Sequence, residues 1–202
     1  TYTNKSTFNN MARFILIDNI ENLNKNSVNA LLKIVEEPNE NVFFILINNN
    51  EKYVLPTLKS RCLTFNINFT FNQSMHVSNQ ILNKSVFDLV NHDLISYYNT
   101  PGEIINLINF SKDKKIDLTD YTLIDFLNLL INNGYYKKNK LVKNLLVSLI
   151  ELFLLKEYKI SNAKNYILNF YHNFIVKIHN TEKFNLDEES LFLEFKSKLL
   201  NG

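Results

Sequence analysis

Two short apolar runs do most to limit what this chain folds into. Residues 14–17 read FILI and end at Asp18; residues 42–47 read VFFILI and end at Asn48. Both are wholly apolar and rich in Phe and Ile, the pattern of strands in a parallel sheet covered on both faces. Between them lies LNKNSVNALLKIVEEPNE, where Val28, Leu31, Leu32 and Val35 recur at helical spacing and form one apolar stripe. Asn24 or Asn26 suits the start of that helix, and Pro38 stops it after Glu36 and Glu37. Strand, helix and strand joined by a crossover of this length predict a parallel pair. A short helical turn around Tyr53–Lys59 follows, with Pro56 in its first turn, and then a third extended piece, CLTFNI (62–67). Residues 1–68 are therefore expected to form part of an open α/β sheet. The chain opens TYTNKSTFNN, without Met, and soon reaches a strand, so it reads as beginning inside a domain.

Beyond residue 69 the periodicity changes. Segments 74–83, 85–98, 102–111, 119–133, 139–158, 161–179 and 187–200 all carry helical spacing. The clearest stripes are Leu141, Leu145, Leu149 and Leu152, then Tyr166, Phe170, Phe174 and Ile178. Expected breaks are Thr100–Pro101–Gly102, the run SKDKK (111–115), Asn132–Asn133–Gly134 and Thr181–Glu182–Lys183. The whole chain holds only 3 Gly and 3 Pro, which argues against a loop-rich or all-β fold. No repeat of solenoid length is visible. The expected class is a partial α/β unit followed by an all-α region, mostly helical overall.

Charge narrows the function. The net charge is +2, low for a protein that binds nucleic acid by itself. One cysteine, Cys62, precludes an internal disulfide and a cysteine-based zinc site. The most apolar stretch, LLVSLIELFLL (145–155), is too short for a membrane span and contains Ser148 and Glu151. No signal peptide is visible, and a cytoplasmic location is expected.

Few residues offer chemistry. Asp18 ends an apolar strand, where ligands of open α/β sheets sit and where many nucleotide-binding folds hold Mg²⁺; a plain turn former reads the same way. No G-x-x-x-x-G-K-[ST] precedes it, since Gly102, Gly134 and Gly202 all lie downstream. Asn19 stands where an ATPase keeps a carboxylate, and an amide accepts no proton there. Glu21 is expected to point elsewhere. His76, His92, His172 and His179 lack metal-ligand spacing, and Glu36–Glu37 does not read as an acid pair, because adjacent helical positions diverge. Arg61 remains. Of 22 basic residues only Arg13 and Arg61 are arginine. A planar, permanently charged fork between a short helix and a strand reads either as a surface ion pair or as a group that reaches a neighbour's phosphate.

Taken together, these residues resemble one family. ILIDN (15–19), NALLKIVEEP (29–38), FFILINNN (43–50) and LPTLKSRC (55–62) are similar, in order and spacing, to the AAA+ region of bacterial clamp-loader subunits: Walker B strand, N-A-L-L-K-x-L-E-E-P helix, sensor 1 strand and S-R-C turn. The resemblance covers about a third of the chain, residues 13–67; beyond it only a helical architecture matches. Asp18–Asn19 in place of Asp-Glu, TPGEIINL (100–107) with Glu103 where an ATPase carries an arginine, and no arginine after Arg61 resemble the delta-prime type rather than the gamma/tau ATPase. The resemblance implies a RecA-like sheet portion at 1–68, a helical lid at 69–115 and a helical collar for oligomerisation at 116–202. It implies a stator without ATPase activity of its own. Arg61, flanked by Ser60 and Cys62, would be an arginine finger acting in trans on a neighbour. Asp18 and Asn19 would be a degenerate Walker B, Asn48 and Asn49 a non-functional sensor 1, and Lys25, at a helix N-terminus, a candidate DNA contact. No cofactor is expected on this chain; ATP and Mg²⁺ are expected on the neighbouring subunit. The implied partners are the gamma/tau and delta subunits and, through the complex, the sliding clamp and primed DNA. A gamma/tau-type ATPase whose P-loop lies upstream, and a helical adaptor that has lost the loader role, remain the alternatives.

Overall fold

The computed structural model describes residues 12–49, 53–184 and 186–200. The opening TYTNKSTFNN and Asn50, the last residue of the expected sensor 1 run, lie outside them. The chain divides into two compact units, residues 1–67 and 68–202.

The first unit is built on a parallel pair, β1 (Arg13–Ile17) and β2 (Val42–Leu46), in register from Arg13 opposite Val42 to Ile17 opposite Leu46. Helix α1 (Lys25–Glu36) crosses between them. Of the two possible caps the structure uses Asn24, whose side chain accepts from the Ser27 amide at 2.9 Å. Val28 and Leu31 are buried, and Leu32 and Val35 pack against them with Ile17, Phe44 and Leu46. A one-turn helix, α2 (Pro56–Lys59), contributes Leu58, the most buried residue of the unit at 1% exposure.

Two expectations fail here. The strands are not covered on both faces by described residues: Phe14, Leu16, Phe43 and Ile45 are exposed on the face opposite α1. Phe14 and Phe43 stack on one another there, centroids 5.4 Å apart. Residues 62–67 form no strand, because no described chain offers them ladder hydrogen bonds; Leu63, Phe65 and Ile67 are all at least 81% exposed.

The second unit is helical: α3 (Phe71–Leu82), α4 (Pro101–Lys114), α5 (Leu123–Asn132), α6 (Lys140–Ile160), α7 (Lys164–Phe184) and α8 (Glu189–Phe195), the last running on into one wider turn, Lys196–Leu200. Its helix starts are chemically specified. Thr70 with Gln73, and Thr100 with Glu103, form capping boxes; Thr122 and Asn139 cap α5 and α6. The buried side chains form one continuous cluster running from Met75 to Phe195. Phe126, Phe192 and Phe195 are fully buried in it, and Phe153 and Phe174 pack around Phe192 and Phe195.

The expected helix over 85–98 is instead two single 3₁₀ turns, Val86–Asp88 and His92–Leu94, joined at Val90, which bridges to Leu118. Asn91 caps the second turn by accepting from Asp93 N at 2.9 Å, and Asn79 accepts from Val86 N at 2.8 Å, so side-chain hydrogen bonds replace helical ones. Conversely, SKDKK does not break α4: the helix runs through Lys114 and ends at Lys115, which adopts a left-handed conformation (φ 55°). Thr181–Glu182–Lys183 likewise lies inside α7, where Thr181 is buried and donates its hydroxyl to Ile178 O at 2.7 Å.

Candidate functional site: the strand ends and the Arg61 turn

Because β1 and β2 are parallel, their carboxyl ends lie at one edge, which brings Asp18–Asn19 beside Asn48–Asn49. Hydrogen bonds from Ile47 N to Ile17 O (2.9 Å) and from Ile20 N to Ile47 O (3.0 Å) extend that register past the strands. Asn19 turns the chain in a left-handed conformation (φ 53°, ψ 49°), which asparagine tolerates better than most residues. Asn49 Nδ2 donates to Asn19 Oδ1 at 2.6 Å. Asp18 accepts from the Asn19 amide at 2.8 Å and is exposed. Asn48 is exposed as well. The four residues picked out by sequence are thus gathered at one place.

Glu21 does not point away, as expected. It is buried at 7% exposure, in the turn Ile20–Asn22, and its Oε1 accepts from the Asn49 amide at 3.3 Å while Oε2 has no partner. It ties the end of β2 to the turn after β1. Its position two residues past Asn19 carried no sign of this; only the parallel register puts it under Asn49.

The side chain at position 19 is an amide whose oxygen is already engaged by Asn49, so it offers ATP with Mg²⁺ no carboxylate. An amide at position 19 takes no proton from an attacking water. Among the described residues no group of His, Cys, Asp and Glu is arranged to hold a metal ion. His92 stacks on Phe87, ring centroids 3.7 Å apart, and His76, His172 and His179 are exposed.

The S-R-C turn is the second place of interest. Proline at the first position of α2 presets its backbone angle. Past α2 the chain continues in tight turns, with Ser60 N donating to Pro56 O (2.8 Å) and Arg61 N to Leu58 O (3.1 Å). Leu58 and Cys62 point into the unit's core, and Arg61 between them points out. Burial pushes the Cys62 thiol up, away from the reactive thiolate, so Cys62 acts as an anchor. Ser60 Oγ donates to Thr57 O at 3.2 Å and closes the turn. The Arg61 side chain is 37% exposed. Its Nε donates to Glu36 Oε1, its Nη2 forms an ion pair with the same oxygen, and its Nη1 donates to Thr57 O at 2.7 Å. Sequence reasoning set Glu36 aside; the sign it overlooked is an acidic residue at a helix C-terminus, against the helix dipole.

Lys25 occupies the first position of α1 and is exposed. Glu103, near which the resemblance leads one to expect an arginine in an ATPase, is the capping partner of Thr100: its Oε2 accepts from the Thr100 amide at 2.8 Å, and Thr100 Oγ1 accepts from the Glu103 amide at 3.3 Å. Among the described residues no helix is long and apolar enough to cross a membrane.

Comparison with known proteins agrees with the motifs. Residues 1–70 match the family described as DNA polymerase III, delta subunit. The chain is 29% identical over 136 residues to the DNA polymerase III subunit delta' of Buchnera aphidicola subsp. Baizongia pistaciae, covering 59% of this chain and 39% of the relative. It is 30% identical over 129 residues to the gamma subunit of Buchnera aphidicola subsp. Schizaphis graminum, covering 62% and 30%. It is 40% identical over 70 residues to the tau subunit of Escherichia coli, covering 34% and 11%. The chain therefore spans well under half the length of the relatives it matches. Its four motifs, their spacing and these matches agree: over these residues the chain is similar to the delta', gamma and tau subunits of DNA polymerase III.

Proposed function

We propose that the chain acts as a delta-prime-type subunit: a stator that hydrolyses no ATP itself and supplies Arg61 in trans to ATP and Mg²⁺ on an adjacent gamma-type subunit. The observation that carries this reading is the presentation of Arg61. It projects outward from a turn anchored on both sides by Leu58 and Cys62, and its guanidinium is partly exposed. The Asn19–Asn49 bond supports the non-hydrolytic half, since it fills the slot an ATPase keeps for a carboxylate. In this reading residues 69–115 serve as lid and 116–202 as collar, the partners are the gamma/tau and delta subunits with the sliding clamp and primed DNA, and Lys25 faces template phosphate. The test is Arg61→Ala in the assembled loader. DNA-stimulated ATP hydrolysis is expected to fall about 10³-fold or more, the range for arginine fingers, while gel filtration shows assembly intact. An unchanged rate refutes the finger.

A second reading, a gamma/tau-type ATPase, has the gamma and tau matches in its favour. It requires nucleotide hydrolysis by the chain without partners, together with its natural upstream sequence. An absence of such hydrolysis refutes it.

A further inference from the structure

We infer that Glu36 is a positioning residue for Arg61, setting the direction in which the guanidinium faces a neighbour's phosphate; this rests on the reading of Arg61 as a trans finger. A guanidinium has five N–H donors in a rigid planar fork. Here Glu36 Oε1 accepts from Nε and pairs with Nη2, and Thr57 O accepts from Nη1. Each terminal nitrogen has two N–H groups and so keeps at least one for another acceptor, and a phosphate is bound bidentately by such a fork. The rest of the group is held by a carboxylate on one side and a backbone carbonyl on the other.

The carboxylate is in an otherwise unfavourable place. Glu36 is the last residue of α1, where the helix dipole disfavours negative charge, and Glu37 follows it. A local rule broken in this way is the pattern expected where function sets the residue. The Arg61 charge offsets the cost and is oriented in return.

The experiment uses the complete subunit in the assembled, DNA-bound loader, with Glu36→Ala, Glu36→Gln, Arg61→Ala and the double variant Glu36→Ala/Arg61→Ala. Glu36→Ala is expected to lower kcat about tenfold with KM for ATP unchanged, since a small misplacement of a catalytic group can cost up to about 10²-fold. Glu36→Gln keeps an acceptor oxygen and is expected to recover part of the loss. The double variant is expected to match Arg61→Ala alone. If Arg61→Ala lowers the rate but Glu36→Ala leaves it unchanged or raises it, the positioning role is overturned and the finger stands. If Glu36→Ala costs as much in the Arg61→Ala background, Glu36 acts through general stability and the inference also falls. If Arg61→Ala itself changes nothing, the finger reading fails first, and the two failures are distinguishable.

Discussion

The two units of this molecule differ in how completely they bury their apolar residues. Residues 68–200 fold around one continuous cluster, with Phe126, Phe192 and Phe195 wholly shielded. Among the described residues of 12–67, the buried apolar side chains are Ile20, Val28, Leu31 and Leu58, of which Leu58 alone is fully buried, while Phe14, Leu16, Phe43 and Ile45 are exposed on one sheet face. The helical unit closes its core with its own helices. The α/β unit spends its few buried side chains on holding two places, the strand ends and the Arg61 turn. The residues that carry the resemblance, Asp18, Asn19, Asn48, Asn49 and Arg61, are in the unit with the smaller core.

Three measurements break or sharpen that contrast. Phe192→Ala is expected to destabilise the helical unit by about 3–5 kcal/mol, the usual cost of removing a buried phenylalanine, read as a shift of the urea midpoint. A loss below about 1 kcal/mol, within the range of ordinary surface substitutions, would mean that the single core is not cooperative. Leu58→Ala is expected to cost about 2–5 kcal/mol and to act locally. Hydrogen exchange should quicken over residues 12–49 and 53–67 and stay unchanged in α4 to α7. Exchange that rises equally in both units would end the description of them as separate.

The smallest of the three effects concerns Asp93. Its Oδ2 accepts from the Leu123 amide at 2.6 Å, adding to the cap of α5, and its Oδ1 accepts from Lys156 Nζ at 2.5 Å. Partial burial pushes the carboxyl up, but the hydrogen bonds from Lys156 and Leu123 and the Lys156 charge outweigh it, so Asp93 is held below its ordinary value. A carboxylate depressed in the folded state stabilises the fold above the unfolded pKa, about 3.9. That stabilisation is lost as pH falls through the folded value. Asp93→Asn is expected to cost about 1–2 kcal/mol at neutral pH, as for a lost cap. The gap between variant and wild type is expected to close in acid. A gap that stays constant down to low pH would show that the charge on Asp93 contributes nothing.

Much of this was legible in the chain as written. The helical stripe Val28, Leu31, Leu32 and Val35 between two apolar runs required the strand–helix–strand unit, because only a parallel crossover buries that stripe against both runs. Asn24 marked the start of α1, since a cap depends on near neighbours alone, whereas the caps Thr100, Thr122 and Asn139 emerged only with the structure. The S-R-C turn and Asp18–Asn19 were visible for the same reason: their spacing is short. The failures are equally physical. Residues 62–67 have strand composition, but a strand exists only where another strand pairs with it. Residues 85–98 have helical spacing, but Asn79 and Asn91 divert the backbone into 3₁₀ turns.

The sequence by itself determined the parallel β1–α1–β2 crossover, the start of α1 and the identity of the exposed arginine, because periodicity and capping are local. Only the tertiary structure decided that Glu21 reaches under Asn49, that Asn49 closes on Asn19, and that Glu36 holds Arg61. Each of these pairs joins residues 25 to 30 positions apart. Their meeting depends on the register of two strands and the return of the chain past α1, and no local pattern carries that information.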